Sequence, residues 1–383
     1  MTHRLRHLSR IATAGALLVI LAGLGASAAV AQRPAASEEL AVRALPRVGL
    51  PYAGLVGVSC PSVSFCMAVG SFGSGHSTGS FFERWNGRSW RRIAVQRRVS
   101  WLAVSCLSAS FCLTVGTADR GARVIGARWG GRSWSGVGAF SPPAVAPEPG
   151  ANPGEGLQVL SCATRRDCWA VGYDYGRTLV EHWNGRSWSR SSAPTRNGNL
   201  ISVSCSSARD CWAAATPLNA TPIAPLHFDG RSWRIVGLPG PFSNRRYQDQ
   251  VVSCRTLAAC WIVGSSSATG GQPAALHRTA NHWQMASMPA PQEASVVLQG
   301  LDCGSGSDCW ALGSASAGAP LPKTSPLAEE WDGSAWHVAK VIGPARSAEL
   351  MSISCPSASF CMAVGEVRSR AGGPAFAVTR PVH

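Results

Sequence analysis

Of the 383 residues, 45% are hydrophobic and 14% charged, enough apolar material for a real core, and 41 glycines with 25 prolines point to many turns and an all-β protein. The formal charge of +15 is almost all arginine, since Lys323 and Lys340 are the only lysines; without a recognition motif beside it, that charge does not establish nucleic-acid binding. Length alone suggests two or three domains, but internal repetition overrides that prior.

The N-terminus reads as a targeting segment. Arg4, Arg6 and Arg10 flank an uncharged apolar run over residues 11–24, and Ala29-Val30-Ala31 before Gln32 fits an A-x-A cleavage site. Residues 1–31 are expected to be a signal peptide and 32–40 a linker. An uncleaved anchor is the alternative, because residues 11–31 could just span a bilayer. The absence of a cysteine near the cleavage site excludes lipid modification there.

From residue 59 the stretch SCPSVSFCMAVG recurs six more times, as SCLSASFCLTVG, SCATRRDCWAVG, SCSSARDCWAAA, SCRTLAACWIVG, DCGSGSDCWALG and SCPSASFCMAVG. Each copy holds two cysteines with five residues between them, and together they use all 14 cysteines of the chain. In an exported protein this arithmetic means disulfides. The expected pairs are Cys60-Cys66, Cys106-Cys112, Cys162-Cys168, Cys205-Cys211, Cys254-Cys260, Cys303-Cys309 and Cys355-Cys361. Structural zinc is a poor alternative, since its cysteines sit closer together and gather in fours. No metal and no cofactor is expected.

Within the first copy, LVGVSC forms a strand, PSVSF a turn, CMAVGSF a second strand, FFERW a third and SWRRIAV a fourth. Four antiparallel strands every ~50 residues, seven times over, predict a seven-bladed β-propeller. The blades are expected at 52–97, 98–139, 157–195, 199–239, 247–289, 296–343 and 349–383. The last copy lacks a fourth strand, so residues 41–50 are expected to complete it and close the ring within a propeller of 41–383, removing an exposed edge. The Asn-Gly of the turn NGR is expected to supply the positive backbone angles of a tight hairpin. The aromatics flanking that turn in WNGRSW, WGGRSW, FDGRSW and WDGSAW are read as packing across it.

A strand ending in valine-glycine, an aromatic strand, a tight turn and a tryptophan together resemble kelch-type propeller repeats. The turn also resembles the Asp-box of sialidase-like propellers: Gly87, Ser89 and Trp90 match its spacing, whereas Asn86 stands one position closer to the tryptophan than the Asp-box aspartate. With its cysteines, the repeat resembles exported propellers of high-GC Gram-positive bacteria. The resemblance covers about residues 41–380; it implies a fold and leaves function open.

Strand alternation puts the disulfides and NGR turns on one face and the irregular loops on the other, where binding is expected. The channel mouth on that face is expected to gather Trp101, Gln158, Arg245, Arg246, Tyr247, Gln248, Gln250 and Gln299, amides and aromatics suited to sugar hydroxyls and faces. Small residues one and three before each first cysteine, such as Ser59 and Gly57, fit crowding near the axis. The expected function is an exported, monomeric, non-catalytic binding module for cell-envelope or extracellular polysaccharide, or for a protein. A glycan hydrolase or lyase using Asp249 and Glu349, the acids nearest the axis, is the first alternative. A structural envelope protein held to anionic polymers by its basic surface is the second.

Overall fold

The computed structural model describes residues 39–380 except position 44 and the segments 47–51, 75–76, 119–122, 138–139, 141–154, 175–176, 195–197, 217–223, 240–241, 243–246, 257–258, 267–270, 280–281, 290, 292–293, 318–322, 343–346 and 368–373. The expected signal peptide therefore lies outside the described residues. So do most of the irregular loops.

Among the described residues every long regular element is a β-strand. After β1 (Glu39–Arg43), the first sheet holds β2 (Gly54–Ser62), β3 (Phe65–Ser74), β4 (Ser77–Trp85) and β5 (Trp90–Arg97). The second holds β6 (Val99–Ser108), β7 (Phe111–Ala118), β8 (Arg123–Trp129) and β9 (Trp134–Gly136). The third holds β10 (Glu155–Thr164), β11 (Asp167–Asp174), β12 (Arg177–Trp183) and β13 (Trp188–Arg190). The fourth holds β14 (Asn199–Ser207), β15 (Asp210–Thr216), β16 (Leu226–Phe228) and β17 (Trp233–Ile235). The fifth holds β18 (Tyr247–Cys254), β19 (Cys260–Ser266), β20 (Gln272–Thr279) and β21 (His282–Ala286). The remaining strands are β22 (Ala294–Ser305), β23 (Asp308–Ala317), β24 (Lys323–Trp331), β25 (Trp336–Ile342), β26 (Ala348–Ser357), β27 (Phe360–Val367) and β28 (Ala375–Thr379).

Those last strands depart from the expectation of separate four-stranded sheets. They form one eight-stranded sheet in the order β22-β23-β24-β25-β1-β28-β27-β26. The cause is β1, which pairs on both sides: antiparallel to β28, with Val42 opposite Val378, and parallel to β25, with Leu40 opposite Val341. Leu40 is fully buried and anchors β1 in the core. The strand beside β28 is thus Glu39–Arg43, not the whole of 41–50, most of whose second half lies outside the described residues.

Apolar alternation explains how the strand groups join. Phe82 of the first sheet packs with Trp101 of the second, and Leu113 of the second with Leu157 of the third. Trp169 packs with Leu200, Trp212 with Ile262 and Trp261 with Leu298 in the next three junctions. Trp310 packs with Leu350, and Met362 with Leu55 of the first sheet. The first strands of the repeats, β2, β6, β10, β14, β18, β22 and β26, are neighbours in that order, and β26 also lies beside β2.

A chain of hydrogen bonds runs through these first strands. The serine before the first cysteine accepts from the backbone N–H of the next repeat's first cysteine: Cys106 to Ser59, Cys162 to Ser105, Cys205 to Ser161, Cys254 to Ser204 and Cys60 to Ser354, at 2.9–3.1 Å. The sixth copy has Asp302 in place of serine. Its carboxylate accepts from Cys355 N at 2.7 Å, from Cys303 N at 2.9 Å and from Ser253 Oγ at 3.2 Å. The repeated serine is therefore more than a small residue at a crowded axis. In five copies it is an acceptor tying its strand to the next, at a net contribution of about 1 kcal/mol per bond, whereas Ser253 donates to Asp302.

All seven cysteine pairs are disulfides across the first hairpin of their repeat, and no described cysteine is free. The second hairpin abuts the same end: Cβ positions built on Gly87, Gly131 and Gly333 fall against Ser64, Ser110 and Ser307 of the disulfide turns. Aromatic pairs flank this hairpin as expected, Trp85 with Trp90 at 5.8 Å and Trp183 with Trp188 at 5.6 Å. Its backbone differs from the tight Asn-Gly form, because only the glycine has positive φ, 91° at Gly87. Asn86 instead uses its side chain, whose Oδ1 accepts from Arg88 N and Ser89 N. Asn184, Asp229 and Asp332 do the same. The N–H donors hold the Asp229 carboxyl below the usual aspartate range, and at Asp332 the Ser334 hydroxyl does so together with the N–H donors, since each stabilises the charged form.

Candidate functional site: the axial cavity

The seven first strands surround one cavity of about 190 Å³. Its lining follows from a shared irregularity. Each of these strands carries a bulge just before its first cysteine, for example between Leu55 and Gly57 or between Leu298 and Gly300. A bulge adds an unpaired residue and resets which side chains face which way. The residue four before the cysteine is the bulged one, and Val56, Leu102, Gln158, Ile201, Gln299 and Met351 of this set line the cavity. The residues two before the cysteine form an aliphatic ring beside it, from Val58 and Val104 to Leu301 and Ile353, each no more than 7% exposed.

Gln158 and Gln299 thus line the cavity. Gln250 occupies the same position in β18 and is buried. The amide oxygens of Gln250 and Gln299 are buried with no hydrogen-bond partner. A buried amide left unpaired is costly, so each is an acceptor available to a water or a ligand hydroxyl. The remaining bulged side chains are aliphatic, and the cavity combines an apolar wall with two amides.

Trp101 does not stand at the mouth. It is 4% exposed, packs against Phe82, and donates its indole N–H to Gln96 Oε1. The bulge explains this. Five residues before the cysteine, the other copies have Leu55, Leu157, Leu200, Leu298 and Leu350, all fully buried; Trp101 is the aromatic form of a core leucine. Asp249 holds that same position in the fifth copy. Tyr247, Gln248 and Asp249 are placed by backbone in β18, with side chains outside the described residues, and Arg245 and Arg246 lie outside them altogether. Glu349 is buried at 6% exposure opposite Glu366 in the ladder of β26 and β27. Among the described residues no group of three or more His, Cys, Asp or Glu side chains could hold a metal ion.

No family model matches the chain, and no curated protein matches it. Solved structures do. The hydrazine synthase of Kuenenia stuttgartiensis superposes with a TM-score of 0.53 at 11% identity, covering 88% of this chain and 98% of that one. The GH74 enzyme of Niastella koreensis superposes with a TM-score of 0.51 at 9% identity over 86% of this chain. This chain spans 54% of the length of that enzyme. At such identity the likeness concerns fold alone. The molecule is an all-β protein of repeated antiparallel sheets, consistent with a β-propeller, and its disulfides suit an oxidising, extracellular environment.

Proposed function

We infer that this chain is an exported seven-bladed β-propeller that binds rather than catalyses. It holds an envelope or extracellular polysaccharide, or a protein segment, on the face opposite the disulfides. The observation that carries this reading is the axial cavity, where Gln158 and the unpartnered amide oxygen of Gln299 stand in an aliphatic wall. Amides of this kind accept and donate to hydroxyls and peptide groups without needing charge. The count of seven blades is supported by seven first strands around one cavity and by the neighbour relation of β26 with β2. Export is supported by the disulfides and by the N-terminal sequence.

Retention on insoluble polysaccharides and cell walls across a salt series tests the reading. Selective, salt-resistant retention that weakens in Gln158→Leu and Gln299→Leu is the expected result. Retention by every anionic matrix, abolished by salt, would instead identify a structural protein held by its arginines. Glycan turnover lost in Glu349→Gln would overturn the non-catalytic reading.

A further inference from the structure

The fifth repeat breaks the aromatic pattern of the second hairpin, and a cleft opens where it does so. Trp85, Trp129, Trp183, Phe228 and Trp331 each stand opposite the second cysteine of their repeat. In the fifth repeat the ladder of β19 and β20 pairs Trp261 with His277, which puts Arg278 at that place. The aromatic at this place fills the junction with the preceding sheet: Phe228 lies 4.6 Å from Trp169, and Trp331 lies 4.7 Å from Trp261. Arg278 takes the corresponding seat, its guanidinium 4.9 Å from the ring centre of Trp212. A guanidinium is slimmer than an indole, and the ladder here runs one pair further into the turn, to Thr279 with His282.

The result is a cleft of about 490 Å³ between the fourth and fifth sheets, sharing no lining residue with the axial cavity. That volume falls in the range of small-molecule sites, about 300–1,000 Å³. Arg278 and Trp212 line it, with the half-buried Trp283, the exposed His282 and an apolar wall from residues 236–239. Nη1 of Arg278 is buried and has no hydrogen-bond partner. The nearby carboxylate, Asp210, attracts Arg278 by charge, but its hydrogen bonds come from His227 Nε2 at 2.7 Å and from Ser206 Oγ. The cation therefore stacks on an aromatic face and, among the described residues, keeps one buried N–H group with no acceptor.

We propose that this cleft binds a hexuronate unit, its carboxylate on Arg278 and its ring against the apolar wall, with His282 in reach of the hydroxyls. Arginine suits a carboxylate because its planar donors match both oxygens. The site is independent of the axial cavity, so failure of one leaves the other untouched.

Titration of the whole protein with glucuronate, galacturonate and glucose, followed by tryptophan fluorescence and calorimetry, tests the proposal. Saturable binding of at least one uronate is expected, with glucose at least tenfold weaker. Arg278→Trp installs the tryptophan that four other repeats hold at this place and fills the cleft, so it should fold and lose binding. Arg278→Gln keeps the cleft open and should lose at least tenfold. No saturation by either uronate, equal binding of glucose, or binding unchanged in Arg278→Trp would overturn it.

Discussion

Glu329 offers the sharpest test of how the repeats are built. Three sheets bury a glutamate at one place on the third strand: Glu83 opposite Ala68, Glu181 opposite Ala170, and Glu329 opposite Ala311. Glu83 has Arg92 at 2.8 Å from the fourth strand, and Glu181 has Arg190 at 3.7 Å. The residue facing Glu329 across that ladder is Val338. Glu329 is fully buried and both its oxygens lack a partner, so burial alone pushes its carboxyl from 4.5 up to about 8. A folded-state value above the unfolded one makes folding take up a proton. Stability is then greatest below pH ~4.5 and falls as pH rises through about 8. With 1.4 kcal/mol for each tenfold in proton affinity, the loss reaches about 3 kcal/mol at pH 7 and about 5 kcal/mol above pH 9. Glu329→Gln keeps the shape and cannot ionise, so urea unfolding between pH 5 and 9 should show the variant flatter by that amount. Val338→Arg, supplying the missing arginine, should flatten the curve too. Parallel curves for the wild type and Glu329→Gln would refute the reasoning.

The other structural expectations concern the ring itself. Asp302→Ala leaves the N–H groups of Cys303 and Cys355 without their acceptor and should cost about 1–3 kcal/mol for each buried donor; Asp302→Ser, the residue of the other copies, should cost less in the same urea titration. Leu40→Ala empties a fully buried site on β1 and should cost about 2–5 kcal/mol. An unchanged unfolding midpoint there would mean that β1 adds nothing to the sheet it bridges. Opening one staple with Cys60→Ser and Cys66→Ser should cost about 2 kcal/mol, the chain entropy of so short a loop, seen as a lower melting temperature under non-reducing conditions.

What the sequence disclosed follows from what is local. Cysteines with five residues between them suit a bridge across a hairpin, and strand period with turn residues marks nearly every element. The pairing of β1 was legible as a missing fourth strand, but not its second partner, β25, because nothing in residues 39–43 announces a parallel neighbour. The site was half legible. Gln158 and Gln299 line the cavity, whereas Trp101 was placed there too, because strict alternation was carried through a bulge that has no sequence mark of its own. One clue was available: five of its counterparts are leucines, which no aqueous channel mouth would choose.

The serine chain shows how a repeat should be read. A residue present in six copies and replaced by aspartate in the other was taken for size alone, yet serine and aspartate share an acceptor oxygen and differ in volume. What every copy but the fifth, where Ser253 donates to Asp302, preserves is the hydrogen bond from the neighbouring cysteine N–H. The same logic runs in reverse at Arg278. There the chemistry of the position, an aromatic that seals a junction, is abandoned: in the seventh copy Arg380 takes the seat over Trp310 and is held by Asp308 and Glu330, whereas in the fifth the structure leaves space beside the cation. Substitutions that keep a position's physical role maintain the scaffold. One that drops the role and leaves a cavity is where this protein departs from pure architecture.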